Sequence, residues 1–228
     1  HILDGLSEDQ HITWLRQWFK EKLFIIHIDP RNMKSMANAK ESELDRNSLN
    51  FVGWYRHKIS SDMNTTISLY NALKPLYNNF GGLTLEREGG DIQHLYVTIG
   101  VQNTNNGKPV NIRYSFSDLS DGERCLFVLY TLLQLMNDSE VTICLDEPDN
   151  YLDLSEIQPW LLKLEELIED NSSQALIISH HPEILNYLAA DSGIVLTRSG
   201  NAQTKAEKYS DDSSGLLPSE LTARGHIL

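Results

Sequence analysis

Cysteine is scarce in this sequence: only Cys125 and Cys144 occur among 228 residues, and both lie within apolar runs. A disulfide framework of the kind that stabilises small secreted domains is therefore excluded, and there is no cluster of Cys and His with metal-ligand spacing. We expect both side chains to be buried free thiols that pack as small apolar residues. This cysteine usage is typical of cytosolic proteins and predicts a cytoplasmic location.

Long hydrophobic runs are also missing. No stretch reaches the roughly 18 consecutive apolar residues of a membrane-spanning helix, and no signal peptide is visible. We therefore expect no membrane partner. The length and an apolar content of 40% predict one domain, or two small ones, with a substantial core.

Basic residues are few in the second part of the chain. The net charge is −13, yet residues 1–80 hold ten Lys or Arg and nine Asp or Glu, whereas residues 81–228 hold nine and twenty-three. Binding to nucleic acid is dominated by contacts between basic side chains and phosphates. Contact with DNA or RNA is therefore possible, but not through the acidic residues 81–228.

What the sequence does contain is centred on one long apolar run and one short one. The run from Cys125 to Met136 is apolar on every side and predicts a buried helix, and Val141 to Leu145 predicts a strand buried on both faces. Asp146 and Glu147 follow that strand directly. Because Pro148 disfavours a helical conformation for Glu147, we predict that the chain leaves the strand extended and that the two acids point in different directions.

Two acids in this position can act on a phosphate. One carboxylate can hold a magnesium ion, usually through water, while the other orients or deprotonates an attacking water. The alternative interpretation is a pair of acids at a solvated strand end, which is common.

The start of the predicted helix has two features of its own. Ser120 and Glu123 fit the capping-box pattern, and a capped helix needs no ligand. Gly122 lies in the first turn, although glycine costs about 1 kcal/mol relative to alanine in a helix interior. Its presence favours a close approach to that turn, such as that of a phosphate.

A third polar side chain at the end of an apolar element is His180. It follows the apolar run 175–179, which predicts a strand. A lone histidine after a strand is more often structural than catalytic. Here, however, three positions able to contact phosphate occur in order: the helix start at Ser120, the strand end at Asp146 and the strand end at His180. Each of the two intervals between them is long enough to hold one helix. Their combination is more specific than any one of them.

Together the motifs resemble those of ATP-binding-cassette ATPases. LSDGE is similar to the signature motif, ICLDEP to the Walker B strand, NYLD to the D-loop and IISHHPE to the switch-histidine strand. The family usually has glycine where this chain has Asp121, and often glutamine where it has Glu123. Glu123 is similar to the SMC-, RecF- and OLD-like branch, which includes predicted AAA-type ATPases of bacterial anti-phage defence and DNA repair. The resemblance covers roughly residues 92–200.

The resemblance implies ATP and Mg²⁺ as cofactors and a role for each matching residue. Asp146 would hold the metal, Glu147 would be the general base for the hydrolytic water, and His180 would contact the γ-phosphate. In this family the nucleotide lies between two heads, so a second ATPase head is an implied partner.

The other site residues that the resemblance implies would act on the nucleotide of the second head or couple the two sites. Ser120 and Gly122 would touch the γ-phosphate of ATP bound to the partner, as part of a nucleotide-binding signature that includes Asp121 and Glu123. Asp153 of the D-loop-like motif would couple the two sites.

The implied fold is α/β and ABC-ATPase-like, a three-layer arrangement with a mostly parallel core sheet, an antiparallel meander and a helical segment. The residues predict helices near 7–22, 49–60 and 62–78, and an extended segment at 23–28. Three strands within 82–116 would form the meander. Because each connection is a helix-sized crossover, we predict neighbouring strands of one mostly parallel sheet at 141–145, 175–179 and 193–197.

A Walker A loop, G-x-x-x-x-G-K-[ST], does not occur in the 228 residues. The only Gly-Lys pair, Gly107-Lys108, lacks a glycine at the required offset and predicts a hairpin turn within residues 103–108. We therefore expect a C-terminal portion of a longer ATPase. Its parts would be a helical insertion segment (1–80), the C-terminal part of the ATPase domain (81–200), and a linker with a C-terminal tail (201–228).

The leading functional hypothesis is an ATP-driven switch that acts on nucleic acid or on an effector protein such as a nuclease or toxin. A second hypothesis is an interaction scaffold that keeps the fold but turns over no ATP. A third is a transporter nucleotide-binding subunit, which Glu123 and the helical segment make less favourable.

Overall fold

The computed structural model of the chain describes residues 8–62, 64–77, 79–102, 109–170, 172–198, 200–209 and 216–223. The chain divides into two compact units, His1–Ile177 and Ile178–Leu228, and each is described by itself. The predicted hairpin turn at 103–108 and residues 210–215 of the predicted linker lie outside the described residues.

The first 80 residues supply helices and two short strands. Helix α1 (Glu8–Lys22) leads directly into strand β1 (Leu23–Ile26), and a 3₁₀ turn (Pro30–Asn32) follows. Next come strand β2 (Met36–Ala37), helix α2 (Phe51–Ser61) and helix α3 (Asn64–Leu73). The three helices and β1 confirm what the apolar pattern predicts for these segments.

An antiparallel meander comes next, as predicted. It consists of β3 (Phe80–Gly89), β4 (Ile92–Gln102) and β5 (Pro109–Ser115), and β2 pairs with the beginning of β4. Gly89 and Gly90 join β3 to β4 with φ values of 138° and 53°, which glycine adopts at little steric cost. His94 on β4 links its neighbours through hydrogen bonds to Glu88 (2.9 Å) and Ser115 (2.7 Å).

A three-stranded parallel sheet forms from distant parts of the chain. Helix α4 (Asp121–Asp138), strand β6 (Thr142–Asp146), helix α5 (Leu154–Asp170) and strand β7 (Gln174–Ile178) follow the meander, and the sheet order is β1-β6-β7. β1 pairs in parallel with β6, from Leu23 opposite Thr142 to Ile26 opposite Leu145. The predicted adjacency of β6 and β7 is confirmed, as is the mixed α/β class. That β1 is the third strand was not indicated by the sequence.

Helix α4 is buried on every side, as its apolar composition predicts. Each residue from Cys125 to Tyr130 is at most 2% exposed. The Phe127 ring contacts Phe116, which follows β5, and Phe116 stacks on Phe51 of α2, with ring centroids 5.9 and 5.4 Å apart. Although α4 has 18 residues, no helix in the described part of the chain combines the length and hydropathy of a membrane span.

The second unit contains α6 (Pro182–Ser192), β8 (Ile194–Thr197), β9 (Lys205–Lys208) and α7 (Pro218–Ala223). β8 pairs antiparallel with β9 in a sheet of two strands. For the described residues, the prediction that 193–197 joins the parallel sheet is therefore wrong. A short connection suffices to join antiparallel strands, so β8 pairs with the segment that follows it, which the sequence analysis interpreted as linker.

We expect Ser173→Ala to lower the free energy of unfolding. Ser173 is 3% exposed; its Oγ accepts from the N–H of Val141 (3.2 Å) and lies within donor distance of the carbonyl oxygens of Met136 (3.2 Å) and Ser139 (3.1 Å). Alanine would leave buried backbone groups unsatisfied, at a cost of about 1–3 kcal/mol. Urea denaturation measures the change. The exposed neighbour provides the control, since Ser172→Ala should stay within about 0.5 kcal/mol of wild type; equal losses in both variants would contradict the prediction.

Candidate functional site

The carboxyl ends of β1 and β6 lie at the same edge of the parallel sheet and bring His27 beside Asp146. The register that pairs Ile26 with Leu145 continues by one residue to these two side chains. Nδ1 of His27 lies 3.6 Å from Oδ2 of Asp146, and each side chain is 44% exposed. Asp146 is thus a partly exposed carboxylate at the predicted metal position, next to a histidine that the sequence analysis did not include.

Glu147 has a left-handed backbone conformation with φ of 47°, so the predicted extended conformation is wrong. Pro148 disfavours the right-handed helical region for the preceding residue, but the left-handed region also avoids it and turns the chain sharply after β6. Asn150 closes this turn: its N–H donates to the Glu147 carbonyl (3.3 Å) and its Nδ2 to Glu147 Oε2 (2.7 Å). Such strain costs roughly 1–3 kcal/mol for a non-glycine residue and is found preferentially at functional sites.

The turn after Glu147 is also held from the core. The buried Cys125 thiol donates to the carbonyl of Pro148 (3.4 Å). Burial raises the pKa of Cys125 well above its ordinary range, so the thiol stays protonated and can donate. Further along the turn, the N–H of Leu152 donates to the carbonyl of Asp149 (2.9 Å). The backbone around Glu147 is therefore fixed from both sides of the turn.

Asp153, which the resemblance implies as the coupling residue, lies immediately before α5. Its carbonyl oxygen accepts from the N–H groups of Glu156 (2.9 Å) and Ile157 (3.1 Å), and its own N–H donates to Glu156 Oε2 (3.0 Å). The Asp153 side chain is exposed. These contacts give Asp153 a local role in starting α5, and its coupling role stays a prediction.

Ser120 is the N-cap of α4, and its side chain lies at the surface. Its Oγ accepts from the N–H of Glu123 (3.2 Å) and donates to Glu123 Oε2 (2.9 Å), which also accepts from the Ser120 N–H (2.8 Å). The predicted capping box is confirmed. It satisfies N–H groups that a helix start otherwise leaves unpaired.

Gly122 faces the backbone of the turn that follows β6. A Cβ atom at this position would lie 2.6 Å from the carbonyl oxygen of Tyr151 and 3.7 Å from Cδ2 of Leu152. The close approach inferred from the sequence therefore exists, but a carbonyl group of the same chain makes it. Through this contact the structure brings the signature residues at the start of α4 together with the turn that begins at Glu147.

Asp121 binds two arginines. Arg31 Nε donates to its Oδ2 (3.0 Å) and Arg124 Nη2 donates to its Oδ1 (2.7 Å). The guanidinium of Arg31 also lies over the ring of Tyr151, 5.7 Å from the centroid. Arg31 is not predictable as a partner of Asp121 from a local pattern, because the two residues are 90 positions apart in the sequence, although Arg31 lies just beyond a predicted strand.

His180 belongs to the second unit, after the end of β7 at Ile178. It is exposed. Of the two adjacent histidines, His181 is the N-cap of α6: its Nδ1 accepts from the N–H of Glu183 (3.2 Å), and its N–H donates to Oγ of Ser179 (2.9 Å). The helix is thus capped without His180, whose contact with phosphate stays a prediction.

Asp146 is suited to bind Mg²⁺ as the one ligand that the protein supplies. This ion is commonly held by one or two carboxylates together with substrate phosphates and water. The described residues contain no group of three or more His, Cys, Asp or Glu placed to hold a metal ion. The remaining ligands would therefore be phosphate oxygens and water, which the exposure of Asp146 permits.

A cavity of about 160 Å³ lies elsewhere in the first unit. Its lining includes Trp54, Lys58, Thr65, Thr131 and Gln134, from α2, α3 and α4. No predicted site residue lines it. This cavity is therefore separate from the acids at the end of β6.

Residues 23–186 match the model of the family described as "AAA domain, putative AbiEii toxin, Type IV TA system". No curated protein matches the chain. Among solved structures, the chain is similar to the Smc head domain with a coiled coil and joint from Pyrococcus yayanosii, with 16% identity and a TM-score of 0.47 over 72% of this chain. The chain spans 30% of the length of that Smc chain.

We expect Gly122→Ala to destabilise the protein, although alanine is favoured over glycine by about 1 kcal/mol in a helix interior. The added methyl group would force the Tyr151 carbonyl to move, and overpacking of this kind costs about 1–3 kcal/mol. Urea denaturation measures the free energy of unfolding. A stability equal to or above that of wild type would mean that the turn yields without cost, against this prediction.

Proposed function

Because this chain belongs to the AAA domain family that it matches over residues 23–186, we propose that it is a cytoplasmic ATPase head that binds and hydrolyses ATP with Mg²⁺. The observation that supports the proposal is the arrangement of residues at the carboxyl edge of the parallel sheet. There, Asp146 ends β6 and Glu147 follows it, and the first turn of α4 contacts the turn that begins at Glu147 through Gly122.

In the proposed reaction, Asp146 is the protein's ligand to Mg²⁺, which when bound neutralises charge on the phosphates. Glu147 accepts the proton of a water whose oxygen bonds to the γ-phosphorus, while the bond from that phosphorus to the β–γ bridging oxygen breaks. The hydrogen bond from Asn150 Nδ2 to Glu147 Oε2 (2.7 Å) would hold the base in one orientation. Positioning of this kind supplies much of the catalysis in phosphoryl transfer.

The second proposed element is a site shared between two heads. Ser120 and Gly122 would contact the γ-phosphate of ATP held by a partner head, because the N–H groups and dipole of a helix N-terminus favour anions. Oγ of Ser120 donates to Glu123 Oε2 in the free chain, so its contact with phosphate requires that proton to be redirected. Asp121 would keep this helix start in place through its two arginines.

Two further residues complete the proposal. His180 would contact the γ-phosphate in its own head, and its exposure supports access to a ligand. Asp153 would relay the state of one site to the other, from its place at the start of α5. In the three-part organisation that we propose, both lie in the ATPase part (81–200), between the insertion segment (1–80) and the tail (201–228).

The nucleotide state would switch an effector such as a nuclease or toxin, in anti-phage defence or DNA repair. Residues 81–228 hold nine basic and twenty-three acidic residues, so this part favours a protein partner over direct contact with nucleic acid. The competing hypothesis is a scaffold of the same fold that turns over no ATP. Glu147 is the residue at which the two hypotheses give different results.

We expect Glu147→Gln to reduce ATP turnover by about 10²–10⁴-fold, the usual contribution of general-base catalysis. ATP binding should survive, since Asp146 still holds the metal, and the variant should accumulate as an ATP-bound dimer. Asp146→Asn should instead weaken Mg²⁺-dependent binding of ATP. Both are measured as turnover, nucleotide binding and dimer population, in a preparation that supplies a Walker A loop on the same or another polypeptide.

The control for the loss of a carboxylate is Glu169→Gln, at an exposed position on α5, which should turn over ATP at the wild-type rate. Absence of turnover in wild type would remove the enzyme hypothesis and leave the scaffold. Wild-type turnover by Glu147→Gln would exclude Glu147 as the base.

We expect Ser120→Arg to abolish ATP-driven dimerisation, because a bulky side chain would occupy the position of the partner's phosphate. The variant also loses the cap, which costs about 0.5–2 kcal/mol, so Ser120→Ala is the matched control: it loses the cap without adding bulk. Sedimentation with ATP gives the oligomeric state, and circular dichroism checks folding. Wild-type levels of ATP-driven dimerisation in both the Arg and the Ala variant would limit Ser120 to capping.

A further inference from the structure

We propose that His27 is a positioning residue for the Asp146 carboxylate, holding it in the orientation in which it binds a divalent cation. The inference rests on the proposed function, because it assigns Asp146 to the metal. His27 is the first residue after β1, and the pairing of β1 with β6 places it opposite the residue that ends β6.

The geometry of the His27 ring supports this role. Its Nδ1 is inaccessible to solvent and, among the described residues, makes no hydrogen bond, while the rest of the side chain is partly exposed. The atom lies 3.6 Å from Oδ2 of Asp146, a little longer than an ordinary N–H···O bond. Hydrogen bonds at functional sites are often long without the ligand and tighten when it binds.

The backbone keeps the ring in this place. The His27 N–H donates to the carbonyl of Arg46 (2.8 Å), and the N–H of Asp29 donates to the carbonyl of Asn47 (3.2 Å). Together with the parallel pairing of β1, these bonds fix both ends of the short segment that carries the ring. With the backbone of His27 held in place, closure of the 3.6 Å gap would come from movement of the Asp146 side chain.

The chemistry requires a donor at Nδ1. A neutral imidazole protonated on Nδ1 can donate to Oδ2, which leaves Oδ1 of Asp146 for the cation or its water. Carboxylates that bind metals are commonly held by such outer hydrogen bonds, and removal of the outer partner typically lowers metal affinity 10–100-fold. His27 would thus act on the metal through Asp146.

Substitution can test which ring nitrogen matters. The amide nitrogen of asparagine can take the place of Nδ1, whereas that of glutamine reaches toward the place of Nε2. We therefore expect His27→Asn to bind Mn²⁺ with nearly wild-type affinity, and His27→Gln and His27→Ala to bind about 10–100-fold more weakly. The measurement is electron paramagnetic resonance of protein-bound Mn²⁺, added with ATP to a preparation that supplies a Walker A loop on the same or another polypeptide, with thermal unfolding as the check that each variant is folded.

Two further variants separate this inference from the proposed function. His57→Asn, which changes a histidine of α2, should bind Mn²⁺ as wild type does. Asp146→Asn should lose the binding; if it does and all three His27 variants bind normally, this inference falls while the role of Asp146 stands. Donation from Nδ1 is excluded if His27→Gln binds Mn²⁺ with wild-type affinity and His27→Asn does not. It is also excluded if both variants bind Mn²⁺ as weakly as His27→Ala. If wild type binds no Mn²⁺, or if Asp146→Asn leaves its binding unchanged, the metal role of Asp146 falls and this inference with it.

Discussion

The burial of α4 is the constraint on which the rest of the first unit depends. A helix that is apolar on every side has to be covered on every side, because about 25 cal/mol is gained for each Å² of apolar surface removed from water. The aromatic residues Phe51 and Phe116 lie within this core, along with Trp160 of α5. At the start of α4 the packing is close enough that the carbonyl of Tyr151 leaves no room for a side chain at position 122. The position of the signature residues is thus a consequence of core packing.

The same packing explains how a strained residue is maintained at the end of β6. Glu147 has a left-handed conformation, which few side chains adopt without support. Cys125 donates to the next carbonyl from inside the core, and Asn150 binds both the backbone and the carboxylate of Glu147. These contacts fix the direction of the Glu147 carboxylate, at a conformational cost that the surrounding structure offsets.

The parallel pairing of β1 with β6 brings together residues that no local motif connects. Because β1 and β6 run in the same direction, their carboxyl ends meet, and the loop after β1 reaches both the end of β6 and the start of α4. His27 lies beside Asp146, and Arg31 joins Asp121 to the ring of Tyr151. An ion pair as exposed as that of Arg31 contributes little to stability. Its significance lies in geometry, since it connects the loop after β1 with the start of α4 and with the turn after β6.

Local patterns in the sequence were sufficient to predict the helices, the meander, the capping box of Ser120 and the two acids at the carboxyl end of β6. Each depends on residues within a few positions of one another, where hydrophobic period and capping chemistry act directly. The sequence also indicated a close approach at Gly122, but not its partner. That partner, the pairing of β1 with β6, the antiparallel pairing of β8 and the positions of His27 and Arg31 were decided only by the tertiary structure. The conformation of Glu147 belongs with them, because Pro148 excludes one backbone region without choosing among the others. Contacts between distant residues depend on which surfaces are buried together, and a one-dimensional pattern does not specify that choice.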